Sequence, residues 1–186
     1  SRAPWVMGKP IGKKPIGNQT QYDTSLGWRF PNPKMEAMFP LEAMGNTAEN
    51  LVERYSLTRE EQDQFALNSH KKVATAWEQG KFSDEVIPVS IPQRKGDPLS
   101  YAKDESIRGD SSMEALGRLR AVFKSGGSVT AGNSSPLNDG AAALLLTTRQ
   151  RAEKEGWKPL ATWRTGASAG VDPTVMGIGP VPATNK

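Results

Sequence analysis

Apolar and small side chains recur at helical spacing between residues 58 and 80. The recurring positions are Phe65, Ser69, Val73, Ala76 and Trp77. This period predicts one long helix with a single buried stripe. Thr58, followed by Glu61 three residues later, forms a capping box that begins the helix, and Gly80 is a natural stop.

Shorter patterns predict the neighbouring elements. Residues 46–52 form a first helix with Asn46 or Thr47 as its N-cap, and residues 112–119 form a short later one. Residues 85–91 are typical of a strand, which Pro88 assigns to a sheet edge because proline cannot donate to a ladder. Two stretches predict no regular structure: residues 92–110 are polar, and residues 1–45 are interrupted by recurring glycine and proline.

The hydrophobic pattern changes after residue 140. Residues 141–146 are a continuous small-apolar run, which is typical of a strand covered on both faces. A short helix over residues 149–155 ends at Gly156, and a second strand follows over residues 160–169. Strand, helix and strand predict a layered α/β core, with the preceding residues as a mixed α/β insertion.

Charge changes this picture little. The 186 residues contain 24 Lys and Arg and 20 Asp and Glu, a net charge of +4. A basic excess can indicate a nucleic acid or a phosphorylated cofactor as partner. Here the basic residues are scattered among acidic ones, without a basic stripe. The balance favours a mildly basic enzyme and argues against nucleic-acid binding.

The scarcity of Cys and His excludes several kinds of site. The chain has no Cys and one His, so it contains no disulfide, no Cys nucleophile and no multi-His metal site. The one histidine, His70, lies beside Lys71 and Lys72 and is interpreted as solvated. No apolar run approaches the roughly 18 residues of a membrane span. We expect a cytoplasmic protein without a membrane partner, and the lack of terminating signals suggests an internal piece.

Three segments carry candidate chemistry. In residues 129–143, small residues would let a ligand approach the backbone, and hydroxyls and amides could bond an amide-containing ligand. A tight loop whose polar groups satisfy one another is the alternative. Residues 176–183 contain glycines without dinucleotide-fingerprint spacing, as in a turn-rich connector. Arg108, in the charged loop 104–108, is either solvated or holds a phosphate or stacks on a base.

Together these segments resemble the thiolase family, in order along the chain. Residues 1–4 resemble the end of its Glu-Ser-Met-Ser-x-Ala-Pro segment, and residues 44–50 resemble its Met-Gly-x-Thr-Ala-Glu-Asn helix start. Residues 59–66 match its next helix, and residues 129–143 and 176–183 match two further signature segments. The resemblance implies that residues 1–136 are the family's CoA-binding loop excursion. Residues 137–150 would then be the last core strand of the N-terminal half, and residues 151–186 the start of the C-terminal half.

The family's catalytic residues lie outside these segments. Thiolases use two Cys and one His, located upstream and downstream of the matched part, so the resemblance implies no catalytic residue in this chain. The implied reaction of the complete protein is a reversible Claisen exchange between 3-oxoacyl-CoA and CoA, releasing acetyl-CoA. Coenzyme A and acyl-CoA are substrates there, and no further cofactor is implied.

The function that the resemblance implies for this chain itself is CoA binding. Ser135 would hydrogen-bond the pantetheine arm, Ala131 would allow close backbone approach, and Arg108 would lie against the adenine and phosphate end. The acyl and pantetheine tunnel would be lined by Met44, Phe123 and Met176. For these three residues ordinary core packing is the alternative. Residues 8–24 would contribute to a homodimer or homotetramer, as the matching excursion does in the family.

The subclass rests on two departures from the family patterns. Acetoacetyl-specific members carry His before Met-Gly, whereas this chain has Ala43, which favours a catabolic 3-ketoacyl-CoA thiolase. Residues 23–30 also resemble 3-oxoadipyl-CoA thiolases, although Gly45 replaces the Pro that is usual there. A non-catalytic CoA-ester-binding relative and an assembly module for thiolase-like subunits are the alternative functions.

Overall fold

The computed structural model describes residues 5–9, 17–25 and 27–186. In chain order the elements are β1 (Trp5–Met7), β2 (Gln21–Asp23), α1 (Pro33–Glu36), α2 (Met44–Tyr55), α3 (Arg59–Glu78), β3 (Val89–Ile91), β4 (Leu99–Tyr101), α4 (Met113–Gly117), α5 (Arg149–Lys154), a 3-10 helix (Pro173–Ile178) and α6 (Pro180–Thr184). They form two compact units. One is the continuous stretch 44–136, and the other combines residues 1–43 with residues 137–186.

Helix α3 begins and ends as predicted. Glu61 N donates to Thr58 Oγ1 (3.2 Å), and Thr58 N donates to Glu61 Oε2 (2.8 Å), which completes the capping box. Gln79 is the C-cap, and Gly80 follows with a φ of +66° that favours glycine. Helix α2 begins earlier than predicted, at Met44. Asn46 and Thr47 therefore both lie inside the helix, and neither is the N-cap. The Thr47 hydroxyl donates to the Met44 carbonyl.

The buried face of α3 differs from the predicted stripe. Phe65 is 79% exposed and Ser69 is exposed, while Val73, Ala76 and Trp77 are half-buried. The buried positions are Asp63 and Leu67. The prediction for the first part of the stripe was wrong because it placed Phe65 and Ser69 on the buried face. Asp63 and Leu67 lie there instead, and hydrogen bonds to Arg59 and Asn133 allow the Asp63 carboxylate to be buried.

Strands β3 and β4 form an antiparallel hairpin in the 44–136 unit. Val89 lies opposite Tyr101, and Ile91 lies opposite Leu99. The predicted strand over residues 85–91 is shortened to its last three positions, because a helical turn around Phe82 extends to Val86 and Pro88 follows. Strand β4 lies within residues 92–110, which were predicted to form only a loop.

The other unit also has more structure near the N-terminus than was predicted. Strands β1 and β2 pair antiparallel, with Trp5 opposite Asp23 and Met7 opposite Gln21. Asn32 caps the short helix α1. The expectation of a wholly irregular stretch over residues 1–45 was therefore wrong. The family resemblance at residues 1–4 lies outside the described residues, as does most of the Gly- and Pro-rich stretch 8–17.

The two strands predicted after residue 140 are absent from the described structure. Residues 141–146 and 160–169 have no strand assignment, and Leu144, Leu146 and Leu160 are 86–95% exposed. A strand needs a neighbour for its backbone groups, and these segments find none in the described part of the chain. The short helix between them was predicted correctly and is α5. In the structure Thr148 is its N-cap. The segment 176–183 is a 3-10 turn followed by α6 and not an irregular connector.

Buried side chains are few in both units. Leu67, Leu116 and Val129 are buried within residues 44–136, and Ala152 and Val175 are buried in the other unit. None of the helices within residues 5–9, 17–25 and 27–186 is long and apolar enough to cross a membrane.

Candidate functional site

The most buried loop of the 44–136 unit is residues 128–134, within the segment predicted to bind a ligand. Ser128, Val129 and Thr130 are all buried. Glu49 of α2, 3% exposed, accepts hydrogen bonds from Ser128 N (2.9 Å) and Val129 N (2.7 Å). The carboxylate thus satisfies two amides that would be costly to bury unpaired.

Glycine is required where the chain enters this loop. A Cβ at Gly127 would lie 2.4 Å from Oε1 of Glu49, closer than any real Cβ contact. The buried carboxylate and the glycine opposite it therefore depend on one another. Larger side chains at position 127 would push Glu49 away from the loop amides.

Asn133 closes the loop from its other side. Its Oδ1 accepts from Thr130 N (2.7 Å), and its Nδ2 donates to Ser128 O (3.0 Å) and to Asp63 Oδ1 (2.9 Å). Asp63 is 2% exposed and also accepts from Arg59 Nε at 2.7 Å. One side chain therefore ties the two arms of the loop to each other and to α3.

Arg59 extends the same network to the end of α4. Its Nη2 donates to the carbonyls of Leu116 (2.6 Å) and Leu119 (2.9 Å). Gly132 packs against the same two leucines, since a Cβ there would lie 2.6 Å from each. The loop is thereby held by polar contacts from α2 and α3 and by close packing on α4.

Ala131 and Ser135, the two loop residues predicted to contact pantetheine, are both exposed. Ala131 is an exposed position inside the loop, and Ser135 follows directly after it. Thr130 N donates to Asn133 Oδ1, so at these two residues the loop satisfies its own polar groups, as the alternative prediction of a tight loop expects. The contact of Ala131 and Ser135 with pantetheine stays a prediction.

Met44 and Phe123 are brought near one another through Gly45. The Phe123 ring lies on Gly45, where a Cβ would be 2.2 Å from ring atom Cδ2. Asn46 Nδ2 also donates to the Phe123 carbonyl at 3.1 Å. Both predicted tunnel residues remain exposed, Met44 at 75% and Phe123 at 38%. Neither is fully buried in the core of this unit.

Arg108 lies on the loop after β4. Its Nη1 donates to the carbonyls of Glu105 (2.7 Å) and Ile107 (3.3 Å), and its backbone N donates to His70 Nδ1 (3.2 Å). His70 is half-buried and bonded across 38 residues of sequence, so the interpretation of this side chain as merely solvated was wrong. At the end of β4, burial and then the neighbouring Glu105 carboxylate raise the pKa of Tyr101 above its ordinary value.

Met176 belongs to the other unit. It lies on the 3-10 helix and is 47% exposed. Its grouping with Met44 and Phe123 around one tunnel stays a prediction. Within the described residues, no group of three or more His, Asp or Glu side chains is arranged to hold a metal ion.

The sequence analysis did not predict the hydrogen-bonding roles of four residues: Glu49, Asp63, His70 and Asn133. Arg59 and Asp63, spaced i and i+4 on a helix, were a signal for an ion pair that could fix the helix face. Asn133 stood inside the candidate loop and was read only as part of its polar composition. No sequence signal pointed to the contact of His70 with Arg108.

Comparisons with known proteins identify the family of this chain. The thiolase N-terminal domain family matches residues 10–150, so the chain belongs to the thiolase family. A beta-ketoadipyl-CoA thiolase of Acinetobacter baylyi is 45% identical over the whole chain, and a probable acetyl-CoA acyltransferase of Staphylococcus aureus is 54% identical over the same extent. The chain spans 46% of the length of each of these relatives.

A solved structure shares the fold. The Bacillus anthracis acetyl-CoA acetyltransferase superimposes with a TM-score of 0.75 and 42% sequence identity. The match covers 88% of this chain and 42% of the solved chain. The described residues therefore form part of a thiolase fold.

Proposed function

We propose that the complete protein containing these residues is a thiolase that transfers an acyl group between 3-oxoacyl-CoA and CoA. This chain would contribute the CoA-binding part of its N-terminal half. The observation that carries the proposal is the loop 128–134, which is fixed by hydrogen bonds, has Ala131 as an exposed position and is followed by the exposed Ser135. Such a surface of small residues suits the amide-bearing pantetheine arm.

In this proposal the residues that make and break bonds lie in other parts of the complete protein, because this chain has no Cys. A Cys thiolate of the complete protein would attack the 3-keto carbon. The carbon–carbon bond would break, acetyl-CoA would leave as an enolate that takes a proton from a second Cys, and CoA would then accept the acyl group. Arg108 would hold the nucleotide end of CoA, and Met44, Phe123 and Met176 would line the tunnel.

The proposed segment boundaries also explain the missing strands. Residues 1–136 would be the CoA-binding excursion, and residues 137–150 would contain the last core strand of the N-terminal half. Residues 151–186 would begin the C-terminal half. Residues 141–146 and 160–169 would pair with strands from the rest of the protein and so complete a layered α/β core.

We propose that the complete protein belongs to the catabolic 3-ketoacyl-CoA thiolases. We also propose that it forms homodimers or homotetramers. Ala43 in place of a polar residue before Met44 supports a pocket for acyl chains longer than acetoacetyl. Several beta-ketoadipyl-CoA thiolases match the whole chain at 43–47% identity, whereas two relatives named acetyl-CoA acetyltransferase match 92% and 77% of it at 53% and 54% identity. The discriminating measurement is kcat/KM for 3-oxoadipyl-CoA against acetoacetyl-CoA. A clear preference for acetoacetyl-CoA would contradict the proposed subclass.

The central test follows CoA-dependent cleavage of 3-oxoacyl-CoA by the complete protein. Ser135→Ala removes one hydrogen bond to the substrate, so we expect KM for CoA to rise about twofold to tenfold with little change in kcat. Ser134→Ala, the same chemical change one position earlier, is the matched control. The 186-residue chain by itself should show no cleavage. Absence of cleavage by the complete protein, or equal effects of both serine variants, would overturn the proposal.

A further inference from the structure

One face of α3 contacts the loop 103–109, which contains Arg108. His70, Ala74 and Trp77 are spaced i, i+4 and i+7, which places them on one face of the helix. All three are half-buried. Each meets a different residue of the loop 103–109, so the loop is attached to the helix at three points.

The three attachments differ in their chemistry. Arg108 N donates to His70 Nδ1 at 3.2 Å. Gly109 packs directly on Ala74, where an added Cβ would lie 2.9 Å from the Ala74 Cβ. Lys103 Nζ stands 5.8 Å from the centre of the Trp77 ring, in reach of a cation–π contact.

Two of these attachments flank the Cα of Arg108. The hydrogen bond holds its backbone nitrogen, and the close contact of Gly109 with Ala74 holds the next residue. With both neighbours of the Cα fixed, the direction in which the arginine side chain leaves the backbone is fixed as well. In this hydrogen bond Nδ1 of His70 is the acceptor.

We infer that His70 is a positioning residue for CoA recognition, acting through the backbone of Arg108 on the nucleotide end of the ligand. The inference rests on the proposed function, because it takes Arg108 as the contact to the adenine and phosphate groups. His70 itself touches no substrate. Its contribution is to restrict the Arg108 loop before the ligand arrives, which lowers the ordering cost of binding.

The experiment compares two ligands in the complete protein: CoA, and S-acetyl-pantetheine, which lacks the nucleotide. His70→Leu keeps much of the side-chain volume and removes the acceptor. We expect the Kd for CoA to rise about threefold to tenfold and the Kd for S-acetyl-pantetheine to stay the same. His70→Asn places Oδ1 where Nδ1 stood, so CoA binding should return to within about twofold of the original. Ser69→Ala, at an exposed neighbouring position, is the matched control.

A second probe covers the possibility that His70→Leu fails to fold. Gly109→Ala moves the loop away from Ala74, and we expect the same nucleotide-specific loss. In an Arg108→Ala background His70→Leu should add nothing, since both changes then act on one contact. Equal weakening of both ligands, or normal CoA binding by His70→Leu while Arg108→Ala binds weakly, would overturn the inference. Normal CoA binding by Arg108→Ala would instead overturn the proposed role of that arginine.

Discussion

Buried polar side chains organise the 44–136 unit at the scale of single residues. The buried polar residues there are Thr47, Glu49, Asp63, Ser128 and Thr130. Glu49 and Asp63 accept hydrogen bonds from the loop or from side chains that hold it. A buried polar group is costly unless it is bonded, so this network specifies one loop conformation and excludes those that leave a member unpaired.

The most informative single change in this network is Asn133→Ala. It removes the acceptor of Thr130 N, in a residue that is fully buried, and one donor to Asp63. We expect the complete protein to lose about 1–3 kcal/mol in free energy of unfolding for the unsatisfied groups. Asn68→Ala, which removes an exposed amide on α3, is the control and should change stability by less than about 0.5 kcal/mol. Equal melting temperatures for the two variants would contradict this account.

At the scale of elements, α3 carries the contacts on which the unit depends. Its first turn is held by the capping box, its buried face supplies Asp63, and its middle supplies His70. The hydrogen bonds from the backbone N–H of Thr58, and then from its hydroxyl, lower the pKa of Glu61 below its ordinary value of 4.5. The ionised carboxylate therefore stabilises the helix above the ordinary pKa, and this contribution is lost as the pH falls through the lowered value.

The capping box can be tested in a peptide that spans residues 56–81, because its contacts are local. Replacing Thr58 by Ala removes the N-cap and should destabilise the helix by about 1 kcal/mol. Glu61→Gln should reduce helicity near neutral pH, and its difference from the parent peptide should vanish in acid. The measurement is circular dichroism from pH 2 to 7. Glu60→Gln, an exposed neighbour outside the capping box, is the control, and an identical pH profile for both variants would rule out the capping box as the cause.

The elements with local signals were predictable from sequence, and those that depend on distant partners were not. Thr58, Glu61 and Gly80 define the ends of α3 through bonds within a few residues of each other. The exposed position of Phe65 could not be predicted, because it follows from the bond of Asp63 to Asn133, 70 residues away. The segment 129–143 was recognised from its composition as a candidate loop, and the roles of Ala131 and Ser135 in it stay predictions. The residues that hold the loop come from helices whose relative placement no periodicity reveals.

At the scale of the whole chain, the unit containing residues 137–186 exposes a large apolar surface. Leu144, Leu145, Leu146, Leu160 and Trp163 are each 74–95% exposed. Apolar surface of this kind promotes association, as do unpaired backbone groups.

We therefore expect the isolated 186-residue chain to self-associate in solution. Light scattering coupled to size-exclusion chromatography measures this directly. Replacing Leu144 and Leu146 together by Lys should shift the chain toward the monomer. Lys at two exposed polar positions, Glu153 of α5 and its C-cap Glu155, should not. A monodisperse monomer of the unaltered chain that melts cooperatively would contradict the expectation.

The bonds from Glu49 to the loop have a further consequence for the 44–136 stretch. Ser128 is 79 residues from Glu49 along the chain, so the carboxylate joins the two ends of this stretch at its base. Closing a loop of that length costs about 4 kcal/mol of chain entropy beyond a constant term. Because Glu49 joins the two ends of this stretch, the β3–β4 hairpin and the turns between those ends can lengthen or shorten without disturbing the hydrogen bonds of Glu49. Changes in the length or sequence of the outer loops are therefore compatible with an unchanged arrangement of Glu49, Ser128 and Val129.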